Sequence, residues 1–435
     1  MIVTTCRVLW AYCLKEGGNM KRATNLRLRC LGLLIISTYL SITFRAASAQ
    51  PEAEWVIRER NGSPIYMTYA LNGRGWLLGE AWMRDSAAYG RNVLTLFGPD
   101  GYERQFINED LNRTENGLPI YDFLGVDLSG GLVLTPTVDR FTFPSQFSYT
   151  LLERGAVTPV PLFDIETTQA PASEMNANGE TVVVAKQPGL PDRRSWRVFG
   201  YSEGSLGVLE LPVPRGMRVE YVKPLIDMNG NFLIKGELRG AAHSRGKPRL
   251  RRSLYCSGSI REQRIECLNR VATLRLDKQV EPIFLANGIV TFSSRRGLRR
   301  APIQNLTALS ASSPLKTAYV DLSTTDADGT HFVFNNDTLK NKTLMVEIAA
   351  DLSSKEYQCP TIRKPGTDED LLLTLDFHSV HSLTPGTLLL LGDGYERVRG
   401  DLRGVPVTIE MTKVPQGTAP MEGELGRCLV RKRPS

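Results

Sequence analysis

The sequence is poor in the residues that most often carry chemistry. Only four histidines occur in 435 residues: His243, His331, His378 and His381. No two cysteines have C-x-x-C spacing, and no cysteine outside the first 49 residues has a histidine at zinc-ligand spacing. Helical periodicity is nearly absent. Beyond residue 49 no apolar run approaches the ~20 residues that a membrane-spanning helix needs. Gly/Ser-rich and Pro-rich linkers are missing too, so composition does not cut the chain into separate domains. These absences argue against a zinc site and a polytopic helical membrane protein. No metal and no cofactor are expected.

What is present begins with an export signal. Met20 is followed by Lys21, Arg22, Arg27 and Arg29, then by the apolar run Cys30–Phe44, then by Ala47-Ser48-Ala49. A positive start, a short apolar core and a small-x-small exit make a secretory signal peptide. Residues 20–49 are therefore expected to be removed, leaving Gln50 first in a secreted or periplasmic protein with no membrane span. Residues 1–19 read as upstream sequence. Lys15-Glu16-Gly17-Gly18 is encodable by a purine-rich ribosome-binding site just before Met20. Residues 50–435 are expected to form one domain whose C-terminal tail is stapled by a disulfide.

The formal net charge of +7 belongs largely to the signal region. Residues 1–49 hold seven Lys/Arg and one acid, so the mature chain has 46 basic and 45 acidic residues. Nucleic-acid binding by the whole protein is not indicated. The charge is uneven, however: Arg239 to Arg300 contains 15 Lys/Arg and four acids. Two clusters stand out, Arg245, Lys247, Arg249, Arg251 and Arg252, and then Arg295, Arg296, Arg299 and Arg300. Such a sector attracts polyanions by salt-sensitive electrostatics, which points to an acidic polysaccharide or an acidic protein partner.

Four cysteines remain after export: Cys256, Cys267, Cys359 and Cys428. An even count in an oxidising compartment predicts two disulfides. Cys256 and Cys267 sit 11 residues apart, with strand-like residues around a turn near Gly258, and are expected to pair across a hairpin. Cys359 would then pair with Cys428.

A short motif recurs along the chain, a turn ending in glycine followed by apolar strand residues. It is seen at Asn72-Gly73-Arg74-Gly75-Trp76, Ser129-Gly130-Gly131, Asn178-Gly179, Asn229-Gly230, Asn287-Gly288, Asp328-Gly329 and Pro385-Gly386. Spacing near 50 residues, with several strands per unit, is what propeller blades require. The apolar runs after each turn lack clean alternation, so both faces of these strands should be buried. The units resemble exported bacterial repeat proteins that carry Asn-x-x-Gly before an apolar strand. That resemblance implies a β-propeller and carries no activity. Six or seven blades are compatible with the spacing, because Asp100-Gly101-Tyr102-Glu103-Arg104 recurs as Asp393-Gly394-Tyr395-Glu396-Arg397 in a conflicting register. Tandem β-sandwich domains are the alternative.

Catalytic motifs fail on context. Gly200-Tyr201-Ser202-Glu203-Gly204 has the G-x-S-x-G pattern, but a strand follows where a nucleophile elbow needs a helix. Ser313-Pro314-Leu315-Lys316 matches S-x-x-K, but Pro314 disfavours the helical turn. In Asp376-Phe377-His378-Ser379-Val380-His381, His381 points to the opposite strand face from Asp376 and His378. Asp326-Ala327-Asp328-Gly329 resembles the start of a calcium loop without its bidentate glutamate. The reading is an exported, non-catalytic binding or scaffold propeller. Its alternative is a propeller enzyme acting on a carbohydrate or lactone.

Overall fold

The computed structural model describes residues 53–431, except 85–89, 107–120, 137–144, 192–193, 241–250, 268–280, 295–296, 307–321, 338–341, 352, 361–375 and 399–400. The chain divides into two units: residues 1–53 with 415–417, and residues 54–414 with 418–435. The described residues of the second unit are all-β.

After β1 (Ala53–Glu59), the chain repeats an antiparallel meander. The first blade is β2 (Ile65–Leu71), β3 (Leu77–Arg84), β4 (Gly90–Phe97) and β5 (Glu103–Gln105). The second is β6 (Tyr121–Val126), β7 (Leu132–Pro136), β8 (Ser145–Leu152) and β9 (Val160–Thr167). The third is β10 (Ala172–Met175), β11 (Thr181–Lys186), β12 (Trp196–Ser202) and β13 (Ser205–Glu210). The fourth is β14 (Met217–Ile226), β15 (Asn231–Gly240), β16 (Arg251–Ser259) and β17 (Arg264–Cys267). The fifth shows β18 (Glu281–Ala286), β19 (Ile289–Ser294) and β20 (Gly297–Pro302). The sixth is β21 (Leu322–Thr325), β22 (His331–Asp337), β23 (Lys342–Ile348) and β24 (Ser354–Cys359). The seventh is β25 (Asp376–Thr384), β26 (Thr387–Val398) and β27 (Asp401–Pro415), completed by β1 from the other end of the chain. The last strand, β28 (Glu424–Val430), lies between β24 and β1 and fuses the sixth and seventh blades into one nine-stranded sheet.

The architecture is a β-propeller of seven blades. The Asp-Gly-Tyr-Glu-Arg repeat does not disturb this number. Its first copy spans a 3-10 turn and β5 at the outside of the first blade, whereas its second lies within β26. The two copies are not equivalent positions. Of the other expected strands, Val405–Met411 lies in β27, while most of 315–322 falls outside the described residues.

Burial explains why the ring closes. The described residues form seven apolar clusters, and each joins one pair of neighbouring blades. The second strands supply both sides. In β11, Val182 and Val184 face the fourth blade while Val183 and Ala185 face the second. In β26, Leu388 and Leu390 face the sixth blade while Leu389 and Leu391 face the first. A strand between two buried layers gains nothing from polar alternation, and its sequence shows none. At ~25 cal/mol per Å² of apolar surface removed from water, such strands are the main source of stability.

The turns between first and second strands have a common chemistry. Asp227 shows it: its Oδ1 accepts the backbone N–H of Asn229 at 2.9 Å and of Asn231 at 2.9 Å. Gly230 sits between them at φ +74°. The same side-chain cap occurs at Asn72, Asp127, Asn176 and Asp326. This is the physical basis of the Asn-x-x-Gly pattern: an Asx residue three positions before a positive-φ glycine. In the first blade that glycine is Gly75, not Gly73. The fifth and seventh blades use tight two-residue hairpins at Asn287-Gly288 and Pro385-Gly386 instead.

Both expected disulfides are formed, Cys256–Cys267 across β16 and β17 and Cys359–Cys428 across β24 and β28. The second clamps β28 into the closing sheet. There Arg427 forks onto Glu424 at 2.6 and 2.8 Å and also bonds Glu54 on β1. The guanidinium holds the Glu424 carboxyl down at about 2.

Candidate functional site in the axial channel

The first strand of each blade hydrogen-bonds to one neighbour only. Its free edge meets the first strands of adjacent blades: β2 lies beside β6, β6 beside β10, β10 beside β14, β14 beside β18, and β21 beside β25. These strands therefore surround the axis. Five of them are bulged. The register skips Tyr66 and Tyr69 in β2, Leu124 in β6, Glu220 in β14, Ile283 in β18, and His378 and Leu383 in β25. A bulge bends a strand and re-aims the extra side chain. Several large residues on these strands are exposed. Tyr66 is 39 % exposed, Tyr69 42 %, Met67 44 % and Tyr221, just after the β14 bulge, 51 %.

Polar groups stand among these rings. Tyr69 donates its hydroxyl to Glu80 Oε1 at 2.6 Å and its ring lies 5.6 Å from that of Phe123. Asp122 on β6 and His378 on β25 are exposed. His381 is half-buried, and its Nε2 lies 3.1 Å from Thr68 Oγ1 and 3.2 Å from Ser379 Oγ. Burial, and then the nearby His378, holds its pKa below the ordinary value.

Glu174 on β10 is the unusual acid. Its side chain is exposed, although protein packs around the carboxyl. That confinement pushes its carboxyl up to about 7, against the opposing pull of Lys223 on β14. A carboxyl half-protonated near neutrality is able to give or take a proton there. The β14 side chain Lys223 lies two residues beyond Tyr221, on the same face of the strand.

The sequence-expected site residues scatter by comparison. Arg252 is exposed on β16 and Arg299 is half-buried on β20. Arg300 is buried, and its guanidinium donates to the Ala349 carbonyl at 2.6 Å and the Gly329 carbonyl at 2.6 Å. It fastens the fifth blade to the sixth and does not face solvent, because β20 presents it to the blade junction. Arg245, Lys247, Arg249, Arg295 and Arg296 lie outside the described residues, as does the side chain of Arg251.

In chain order the two basic segments occupy equivalent places. Each follows a second strand and precedes a third, β15 to β16 and β19 to β20. These connections share a rim with the starts of the first strands, where Tyr66 and Asp122 stand.

The rejected motifs find structural roles. Glu203 and Gly204 form a hairpin turn flanked by Ser202 and Ser205, with Ser202 Oγ donating to Glu180 at 3.0 Å. Asp326 caps the sixth-blade turn. Ser313 to Lys316 fall outside the described residues. Among the described residues no group of three or more His, Cys, Asp or Glu could hold a metal ion.

No protein-family model matches this chain, and no curated protein matches it in sequence. Solved structures resemble it distantly. They include the polysaccharide lyase PL25 ulvan lyase, with TM-score 0.39 and 9 % identity over 82 % of this chain and 94 % of that one. The polysaccharide lyase Uly1 gives TM-score 0.38 and 9 % identity over 82 % and 98 %. A puromycin-hydrolysing peptidase of Mycobacterium tuberculosis gives 0.40 and 11 % over 83 % and 52 %. Likeness at this level assigns no activity.

The aromatic channel was not legible beforehand. Tyr66, Tyr69 and Tyr221 read as ordinary strand residues, and bulges leave no mark in the sequence. The raised carboxyl of Glu174 depends on neighbours from another blade.

Proposed function

We propose that this protein is an exported carbohydrate-binding propeller that takes its ligand into the axial channel. The observation that supports this reading is the set of exposed Tyr66, Tyr69, Met67 and Tyr221 on innermost strands. Large apolar groups exposed together mark a binding surface. Tyrosine offers a flat apolar face and a polar edge, which matches a sugar ring with its C–H face and hydroxyls. Asp122, Glu80 and Glu174 supply acceptors for those hydroxyls. Export is supported by the signal-like N-terminus and by the two disulfides. No helix among the described residues is long and apolar enough to cross a membrane.

The test is calorimetric titration of the mature protein with a panel of oligosaccharides. Binding of at least one is expected, and Tyr66→Ala with Tyr221→Ala should weaken it tenfold or more without changing the fold. Unaltered binding in that double variant, or none by wild type, would reject the channel as the site.

Glu174 favours a second reading, in which the channel also turns its ligand over. A carboxyl at about 7 is a proton donor at neutral pH. Under that reading Glu174→Gln keeps binding and loses release of shorter saccharides, measured by chromatography. If neither wild type nor variant shortens a bound saccharide, the protein is a binder.

The basic sector adds a proposed attraction for an acidic polysaccharide at the same rim, with Arg252 its exposed described member.

A further inference from the structure

The charges deeper in the channel bear on which saccharide would fit. Lys223 lies on an innermost strand, on the same face as the exposed Tyr221 and directly opposite Lys235 on β15. The two lysines are treated differently by their surroundings. Lys235 is buried and takes both nearby glutamates, bonding Glu281 and lying 3.8 Å from Glu237. Lys223 has no carboxylate within ion-pair distance among the described residues and remains partly exposed. Like charges facing each other across a strand pair repel, and Lys235 has its compensation while Lys223 does not.

Glu174 on the neighbouring third blade feels the charge of Lys223. Confinement raises that carboxyl to about 7, so near neutral pH it cancels the ammonium only in part. The result is a partly exposed cation on the same strand face as an exposed tyrosine. A lysine in that setting is a point-charge receptor for an anion.

We propose that the channel recognises an anionic sugar, with Lys223 pairing to a carboxylate or sulfate substituent while Tyr221 stacks on the ring that carries it. This inference rests on the carbohydrate reading above and deepens it. Carboxylate and sulfate share the chemistry that Lys223 reads, and both would be drawn toward the rim from which the basic segments depart. A neutral sugar would gain the stacking but leave the ammonium unpaired.

The experiment compares three probes on the mature protein: a galacturonate oligosaccharide, a sulfated galactan oligosaccharide and a neutral cello-oligosaccharide. Wild type should bind at least one anionic probe tenfold or more tighter than the neutral one, and the preferred probe tells carboxylate from sulfate. Lys223→Gln should bring that affinity down to the neutral level and leave the neutral probe unchanged, while Lys223→Arg keeps most of the preference. Circular dichroism and melting temperature check that each variant folds. Neutral and anionic probes bound equally, or a preference that survives Lys223→Gln, would overturn the inference while leaving the channel reading standing. Binding of no probe would overturn both.

Discussion

The two rims of the ring are built on different principles. One rim carries the turns from first to second strands and from third to fourth. There the described turns are short, and five of them are capped by an Asx side chain. Neighbouring turns are also bonded to one another: Asn72 Nδ2 donates to the Asp127 carbonyl at 2.9 Å, Asn176 Nδ2 to the Asp227 carbonyl at 2.8 Å, and the Gly288 N–H to Asp227 Oδ2 at 2.8 Å. Trp76 fills the gap beside Gly130, whose φ is +84° and where a Cβ would meet the indole at 2.6 Å. The other rim carries the starts of the first strands, the links between blades and the second-to-third connections. The long segments 107–120, 241–250, 268–280 and 361–375 all depart from strand ends on that side. Each disulfide includes the final residue of an outer strand, Cys267 or Cys359, just before such a segment. The comparison teaches that local turn chemistry holds one rim, whereas covalent staples secure strands leading to the other.

Removing the staples should have the largest effect. In the chain-entropy model the 69-residue separation of Cys359 and Cys428 is worth about 4 kcal/mol, and the 11-residue separation of Cys256 and Cys267 about 3 kcal/mol. Serine pairs at each should lower the urea midpoint in that order, and the reverse order would deny the closing role of β28.

A comparable loss is expected from acid, and it belongs to the turn rim. His331 begins β22, is buried, and shares a 2.8 Å hydrogen bond with Thr325. Burial, aided by Arg300, pushes its pKa down to about 4. A lowered histidine pKa means that the unfolded chain binds the proton more readily. Stability is therefore fully present above the ordinary value of 6.5 and falls between 6.5 and about 4, by on the order of 3 kcal/mol. Asp326 nearby is held above its ordinary value by burial and works in the opposite sense as a carboxyl. Melting curves of His331→Gln should show a shallower decline over that window, and an unchanged pH slope would refute the assignment.

Loss of one cap should cost less. Asp227→Ala removes the acceptor of three backbone N–H groups, two in its own turn and one in the next blade. About 2 kcal/mol is expected, measured as a drop in melting temperature. On the opposite rim Arg252→Ser should stay within about 0.5 kcal/mol of wild type. A large loss there would show that the exposed basic rim is structural after all.

Much of the fold was readable from short-range chemistry. The turn glycines, the Asx residues before them and the unalternating second strands act within a few residues, so the blade period, the all-β class and the cysteine pairing followed from spacing. Blade number did not, because β1 enters the seventh blade from the far end of the chain and β28 returns between two blades. The candidate site was hardly readable. In sequence Arg300 is one more basic residue of a cluster, whereas in the fold it ties two blades, and the setting of Lys223 depends on Lys235 taking the glutamates.

The sequence by itself determined the repeating strand unit, the turn chemistry and the two disulfides, because each depends on neighbours close in the chain or on a small number of pairings. Only the tertiary structure decided how many blades close the ring, which side chains bulge into the axis, and how confinement beside another blade's lysine sets the Glu174 carboxyl. Those features depend on distances between residues far apart in sequence, and electrostatics and burial respond to distance alone.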